Sequence, residues 1–501
     1  MSNPIFIALL LLQIALGGFD TLYHHELTQR LAWKTGHATE LRLHGVRNLI
    51  YALLFLALGW IEPHGAAAMV LIAALTIETG ITLWDFVEED RVRALPASER
   101  VTHTLLTLNY GALLALLLPV LMGWALLPTG TSIQGHGLVS ILLAISALGV
   151  TASGIRDLFA AARNERLIDS PAAELASALP GRQAVLVTGG TGFIGTRLVA
   201  ALVAAGHDVT VLTRDPKHAL GLATPLRIVT DLAALPHDFR CDIAINLAGE
   251  PIAAGRWTPA RRCRIIESRL RVTRALAALF ERLDQRPTVL INGSAIGFYG
   301  IDDQSVIDEM APRGRGFAAD ICEAWEAAAK CAAGTGTRLV LLRTGIVLGS
   351  SGGMLGGLLP VFELGMGGPI GDGRQMMSWI HRDDLVRMIV AAAADPEIEG
   401  PLNATAPSPV TNRRFAQAIG HALRRPAILP LPAFPLRLAL GHLADELMLG
   451  GQKVLPVKAV FHGFRFRYPR IEDAVGAIVG RPAKAASPVL LRPFREARLL
   501  H

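Results

Sequence analysis

Residues 185–195 read Val-Leu-Val-Thr-Gly-Gly-Thr-Gly-Phe-Ile-Gly. Three apolar strand formers run into glycines at 189, 192 and 195, and an apolar helical stretch, Leu198 to Ala205, follows. Gly189 permits a tight strand-to-helix turn, Gly192 lets backbone approach a pyrophosphate, and Gly195 lets the helix pack closely on the strand. The helix N-terminus adds unpaired N–H groups and a positive dipole end. Glycines alone are a weak signal, but between a strand and a helix they predict a dinucleotide turn made of Gly189, Thr191, Gly192, Phe193, Ile194 and Gly195. The alternative is a glycine-rich turn without a ligand.

This turn stands behind about 150 residues of membrane-like sequence. A chain of 501 residues calls for two or three domains. Its mean hydropathy of +0.40 with 18% charged residues is high for a purely soluble protein. Five apolar segments carry the excess: Pro4–Leu22, Leu43–Ile61, Gly65–Val87, Leu105–Leu127 and Leu138–Ile155. Each is close to the ~20 residues that a helix needs to cross the hydrocarbon core. Met-Ser-Asn-Pro lacks the positive start of a signal peptide. Lysine and arginine are absent from residues 1–22, 48–90 and 101–155. They cluster instead at Arg30–Arg47, Arg91–Arg100 and Arg156–Arg166. The positive-inside rule then predicts an outside N-terminus, five spans and a cytoplasmic second half at the inner membrane.

The predicted cytoplasmic end is rich in polar side chains. Asp20, His24, His25 and Glu26 end the first segment, and Glu40 and His44 flank the second. Glu78, Asp85 and Glu88 belong to the third, and Glu99 and His103 precede the fourth. Glu40/His44 and Glu99/His103 are i,i+4 pairs on one helix face. A carboxylate as deep as Glu78 calls for a partner, an ion or a cavity. The set His24, Glu40, His44, Glu78, Asp85, Glu88 and His103 admits a metal or haem site, a proton or quinone site, or plain polar packing. The Glu-x-x-His spacing of di-iron bundles is absent, and no ligand is assigned.

The second half alternates strands and helices. Strands are expected at Ala184–Thr188, Asp208–Leu212, Leu226–Val229, Ile243–Leu247, Thr288–Asn292 and Leu339–Arg343. That pattern predicts a Rossmann-like, doubly wound parallel sheet with a small C-terminal substrate-side domain, preceded by an all-α transmembrane bundle. The expected divisions are 1–160 for the bundle, 161–182 for a linker, 183–400 for the nucleotide domain, 401–485 for the small domain and 486–501 for a tail. The second strand ends Val-Leu-Thr213-Arg214, without the carboxylate that would accept a ribose 2′-hydroxyl. Arg214 can pair with a 2′-phosphate, so NADP(H) is expected, with NAD the alternative. Asp215 follows directly and counts against that choice, unless its carboxylate caps a turn. The net charge of +6 is scattered, and no Lys/Arg tract points to nucleic acid. The cysteines, Cys241, Cys263, Cys322 and Cys331, include no Cys-x-x-Cys pair, so no disulfide framework or thiolate zinc site is expected.

Long motifs then carry a resemblance. They are Asn246-Leu-Ala-Gly-Glu-Pro-Ile, Arg256-Trp-Thr, Ser294-Ala-Ile-Gly-Phe-Tyr-Gly, Arg343-Thr-Gly-Ile-Val-Leu-Gly and Gly371-Asp-Gly-Arg-Gln-Met-Met-Ser-Trp-Ile-His. Over about residues 183–480 the chain resembles the extended, epimerase/dehydratase-like branch of the short-chain dehydrogenase/reductase superfamily. More narrowly, it is similar to an uncharacterised epimerase family that includes bacterial homologues of a plastid-division protein. Gly450-Gly-Gln-Lys-Val-Leu-Pro and Gly463-Phe-Arg-Phe-Arg-Tyr-Pro resemble that family's tail domain. The resemblance adds Leu247, Ala248 and Gly249 to the expected cofactor contacts. It also implies a Tyr-x-x-x-Lys pair, which this chain lacks. Four residues beyond Tyr299 and Tyr468 stand Asp303 and Glu472, and the aligned helix offers Ala318 and Cys322. Ser294 and Tyr299 are the candidates for a substitute catalytic pair, the alternative being that Ser294 satisfies backbone at a strand end and Tyr299 packs beside the nicotinamide, and His381 is a third acid/base candidate. Glu250, Arg256, Arg269, Gln375 and Trp379 are candidates on the substrate side. Two functions follow: a membrane-anchored NADP(H)-dependent epimerase or oxidoreductase acting on a small or lipid-derived substrate, or a non-catalytic nucleotide-binding regulator or scaffold.

Overall fold

The computed structural model describes residues 3–93, 95–167, 170–334 and 336–481. The expected tail, residues 486–501, lies outside them. The chain forms two compact units that divide near residue 168.

The first unit is a bundle of α1 (Pro4–Phe19), α2 (Ala38–Trp60), α3 (Ala66–Val92), α4 (Ala97–Ala125) and α5 (Leu138–Asn164). A π-helical stretch, Asp20–Gln29, continues α1. All five segments are long and apolar enough to cross a membrane. The helices reach beyond the apolar runs expected from hydropathy, because their polar ends continue helical hydrogen bonding past the apolar stretch. Leu54, Phe55, Leu71, Leu75, Leu121 and Leu143 fill the interior, while Leu53, Val70, Leu108 and Leu148 face outward. Apolar residues on both sides of a helix suit a lipid environment. Small residues bring α2 and α5 together: a Cβ on Gly45 would meet Leu158 Cγ at 2.8 Å, and one on Gly154 would meet the Gly45 oxygen at 2.8 Å. Asn109 on α4 donates to the Leu9 carbonyl (2.9 Å) and to Gln13 (2.7 Å) on α1. At one end, a short antiparallel ribbon pairs Ile61–His64 with Gly130–Ile133, tying the α2–α3 connection to the α4–α5 connection.

The polar groups gather at the opposite end. Asp85 and Glu89 are buried, while Glu88 turns aside to pair with Arg91 at 3.6 Å. The helical period explains this correction: residues 78, 85 and 89 share a face that 88 leaves. Deeper in the bundle, buried Glu78 accepts a hydrogen bond from Thr82 at 2.8 Å.

The second unit is built on a seven-stranded parallel sheet. Its strands are β1 (Ala184–Thr188), β2 (Asp208–Leu212), β3 (Arg227–Val229), β4 (Ile243–Asn246), β5 (Val289–Ala295), β6 (Arg338–Thr344) and β7 (Gly400–Ala404). Their spatial order is β7-β6-β5-β4-β1-β2-β3. Strand alternation sorts the core into two layers. Val185, Val187, Ile243, Ile245, Val289 and Ile291 pack on the side of α6 (Phe193–Ala204). Leu186, Ala244 and Leu290 pack against α7 (Pro259–Arg282), and Ala332 of α8 (Phe317–Ala333) joins that layer. Helices on both faces account for nearly continuous apolar strands. The six expected strands form, and β7 adds a seventh beside β6, with Gly400 opposite Val340. The sheet thus runs past the expected boundary at residue 400. The polar, proline-containing Gly-Pro-Leu-Asn-Ala sequence hides an edge strand that borrows its register from β6.

Candidate dinucleotide site

Strand order reverses between β1 and β4: β1 has β2 on one flank and β4 on the other. Ligands of open parallel sheets bind in the crevice at such a switch point, beyond the carboxyl ends of the strands. Here the two strand ends meet closely. Gly189 has φ +72°, and a Cβ on it would lie 2.7 Å from the Leu247 carbonyl carbon and 2.8 Å from the Ala248 nitrogen. A Cβ on Gly195 would strike the Gly189 carbonyl oxygen at 2.1 Å. Around Gly192 the crowding is mild, with only the Gly189 oxygen, at 3.3 Å. Its outer face is therefore open to a ligand at the N-terminus of α6. Gly189, Thr191, Gly192, Phe193, Ile194 and Gly195 thus form the strand-to-helix turn, and Leu247, Ala248 and Gly249 form the adjoining one.

Behind the turns lies a buried amide ladder. Thr188 donates to Asn246 Oδ1 at 2.6 Å, and Asn246 donates to Asn292 (2.7 Å) and Thr273 (3.0 Å). The Trp325 indole donates to the same Thr273 hydroxyl at 3.1 Å. Satisfied polar groups fix the strand ends without leaving an orphan in the core.

At the end of β2 the Asp215 carboxylate accepts from the Lys217 N–H at 2.9 Å, capping a 3-10 turn. Thr213 is buried and hydrogen-bonded to the Asp215 carbonyl at 3.0 Å. Arg214 is exposed and has no ion-pair partner among the described residues. This leaves a free guanidinium beside the turn, where a 2′-phosphate would need one.

The two proposed catalytic hydroxyls belong to a buried network. Ser294 donates to Glu326 Oε1 at 2.7 Å. Arg343 forks onto both oxygens of Glu326, at 2.9 Å each, and donates to the Tyr299 hydroxyl at 3.0 Å. Tyr299 donates in turn to Asn403 Oδ1 at 2.7 Å. Ser294 and Tyr299 are thus linked through Glu326–Arg343 and do not bond to each other. Both hydroxyls converge on the Glu326–Arg343 ion pair. Burial raises the Tyr299 phenol above its ordinary range despite the pull of Arg343. Cys322, aligned with the missing lysine, is pushed up to about 11 by burial and is a neutral thiol.

His381, Gln375, Trp379 and Arg269 are tied to the protein itself. His381 Nδ1 accepts from the Asp383 N–H at 3.1 Å, capping α9 (Arg382–Ala394), and burial lowers the ring to about 4. Gln375 donates to the Ile370 and Met448 carbonyls, and the Trp379 indole donates to Ser408. Arg269 is held by the Glu250 and Ile265 carbonyls, while Arg256 is exposed. Glu326, Arg343 and Asn403 escaped the sequence analysis as a network. An arginine inside the apolar run Leu-Val-Leu-Leu-Arg was the available signal, because a buried guanidinium requires a buried acceptor.

Known proteins match this unit. Residues 185–403 match the model of the NAD dependent epimerase/dehydratase family. The epimerase family protein SDR39U1 homolog, chloroplastic, of Arabidopsis thaliana is 41% identical over 302 residues, covering 59% of this chain and 86% of that protein. The chain belongs to the epimerase/dehydratase family. Residues 431–478 of this family member also match a domain of unknown function. Human epimerase family protein SDR39U1 is 39% identical over 298 residues, which cover 59% of this chain and 99% of the human protein. A crystal structure of that human protein with NADPH has a TM-score of 0.55 at 38% identity, covering 59% of this chain and 99% of the other. A nucleoside-diphosphate sugar epimerase from Corynebacterium glutamicum has a TM-score of 0.50 at 28% identity, covering 74% of this chain and 70% of its own. Both family-model matches lie after residue 184, in the second unit.

Proposed function

We propose that this chain is a membrane-anchored NADP(H)-binding member of the epimerase/dehydratase family, acting as an oxidoreductase or epimerase on a small or lipid-derived substrate. The observation that carries cofactor choice is the exposed Arg214 at the end of β2, where Asp215 is already engaged as a turn cap. The NADPH in the related human structure supports the same choice. Five long apolar helices support the anchor, and the arginine pattern supports a nucleotide unit on the cytoplasmic side. Gly189, Thr191, Gly192, Phe193, Ile194 and Gly195 would hold the pyrophosphate, with Leu247, Ala248 and Gly249 beside it. NADPH, when bound, supplies a hydride donor. The protein's part is to orient it and to keep the Tyr299 proton in place on its oxygen.

A second reading, a nucleotide-binding regulator or scaffold, is favoured by the Ser294–Glu326–Arg343–Tyr299 network, in which each hydroxyl already has a protein partner. One titration series of the full chain in mild detergent tests both. Arg214→Ala is expected to weaken NADPH binding by roughly 1.5–3 kcal/mol, the scale of a charged hydrogen bond, and to leave NADH unchanged. Equal losses for the two cofactors overturn the assignment. In the enzyme reading, Tyr299→Phe slows NADPH consumption without changing NADPH affinity. No NADPH consumption above the buffer rate by the wild-type chain supports the regulator.

A further inference from the structure

The polar end of the bundle holds more donor atoms than its hydrogen bonds use. The liganding atoms of His25, Glu89, Glu99 and His103 lie within 4.8 Å of one another, and so do those of Glu40, His44 and Glu89. Glu89 is common to both groups. His25 and His44 are 7% and 3% exposed and Glu89 is fully buried, yet His25 Nε2, His44 Nε2 and Glu89 Oε2 make no well-aligned hydrogen bond and face only other ionisable groups, Glu99 at 3.5 Å, Asp85 at 2.9 Å and His103 at 3.4 Å. Buried polar atoms without aligned hydrogen bonds are costly, and three that face only other ligating groups point to a cation between them.

The surroundings resemble the outer support of a metal centre. Asp20 accepts from His103 Nε2 at 3.0 Å, which leaves Nδ1 facing Glu89 Oε2 at 3.4 Å. Fixing one ring nitrogen with a carboxylate while the other faces the ion is how liganding histidines are oriented. The π-helical stretch helps, because its wider turn lets Asp20 reach both His24 (2.8 Å) and His25 (3.6 Å). Asp85 lies 2.9 Å from His44 Nε2 and is anchored by Arg47 at 2.9 Å. An ion at that nitrogen replaces the proton that the His44–Asp85 pair would otherwise share.

Charge argues the same way. Asp20, Glu40, Asp85, Glu89 and Glu99 are all buried, and the guanidiniums placed among them are Arg47 and Arg93. Arg93 clamps Glu40 and Glu99, at 3.0 and 2.7 Å, and reaches Glu89 at 3.4 Å. Buried carboxylates in excess of cations are costly. Protonated histidines supply only part of the balance, because His25 and His44 stack with centroids 4.5 Å apart and planes 7° apart. Two imidazolium rings repel in that arrangement, whereas two neutral rings stack and present their lone pairs to a cation.

We propose that this end of the bundle is a dinuclear metal site bridged by Glu89, with His25, Glu99 and His103 completing one position and Glu40 and His44 the other. Three imidazoles and three carboxylates suit a divalent first-row ion such as iron, manganese or zinc. Cysteine is absent from this unit, since the first in the chain is Cys241, so a soft thiolate site is excluded. The ligands come as Glu-x-x-x-His on α2 and α4, a different spacing from the Glu-x-x-His of soluble di-iron bundles.

The test is elemental analysis of the full chain, purified in mild detergent from cells grown with added iron, manganese and zinc. About two ions per chain are expected, as for a carboxylate-bridged pair. Glu89→Gln is expected to lose both. His64→Ala, at the ribbon end of the bundle, is expected to keep both. Should Glu89→Gln fail to fold, chelated wild-type protein titrated with cobalt(II) gives an independent readout, with visible ligand-field bands that saturate at about two equivalents. Metal-free wild-type protein without such bands overturns the proposal and leaves Arg93 as the counter-ion. One ion per chain, or an unchanged metal content in folded Glu89→Gln, overturns the bridged pair.

Discussion

His381 and Asp383 give neighbouring residues of α9 opposite responses to burial. His381 falls from 6.5 to about 4 because burial disfavours its charged form. Asp383 is also penalised by burial, but two hydrogen bonds from Arg197, at 2.9 and 3.1 Å, hold it at about 2 against an ordinary 3.8. Both folded values lie below the unfolded ones, so the unfolded chain binds more protons and stability is lost as pH is lowered. His381 acts first, between pH 6.5 and 4, and Asp383 follows between 3.8 and 2. The histidine's share is roughly 3 kcal/mol by proton linkage. His381→Asn retains a capping side chain and is expected to flatten the upper part of the curve in urea melts of the nucleotide unit followed from pH 7 to 4. A variant with the wild-type slope would mean that another group carries the effect.

Among the elements, the strand-to-helix turn separates two uses of glycine. Gly195→Ala places a carbon 2.1 Å from the Gly189 oxygen, so α6 must move off β1. Gly192→Ala meets a single atom at 3.3 Å. The expected outcome is a destabilised Gly195→Ala and a Gly192→Ala that melts like wild type but loses NADPH affinity at least tenfold, read by calorimetry. A Gly192→Ala chain that binds normally would remove the turn from the cofactor site. This turn was legible in sequence because sterics dictate glycine there. The buried strands were legible because both of their faces are apolar. β7 was not, since its proline and asparagine suit an edge that only its neighbour defines. Nor was the fate of Ser294 and Tyr299, because the residues that engage them, Glu326, Arg343 and Asn403, stand on three separate elements. In the bundle, helical periodicity located the polar face, but one residue of phase decided between Glu88 and Glu89.

On the scale of the whole molecule, a family unit that spans 99% of its human relative accounts for 59% of this chain, and the bundle stands outside the matched family models. The arginine pattern predicts which side of a membrane each connection occupies. A cysteine introduced at Gly130 is expected to react with an impermeant thiol reagent in intact cells, and one at Lys34 only after lysis. The reverse labelling would invert the topology. The ribbon between Ile61–His64 and Gly130–Ile133 then takes on a mechanical meaning. It rivets two connections at the end that this topology puts outward, and Leu58, Leu117, Leu121 and Leu143 belong to one apolar cluster in the bundle. In that topology the apolar cluster lies between the ribbon and the histidines and carboxylates at the other end of the bundle, so a solute that reaches them is expected to come from the inward side or from the lipid.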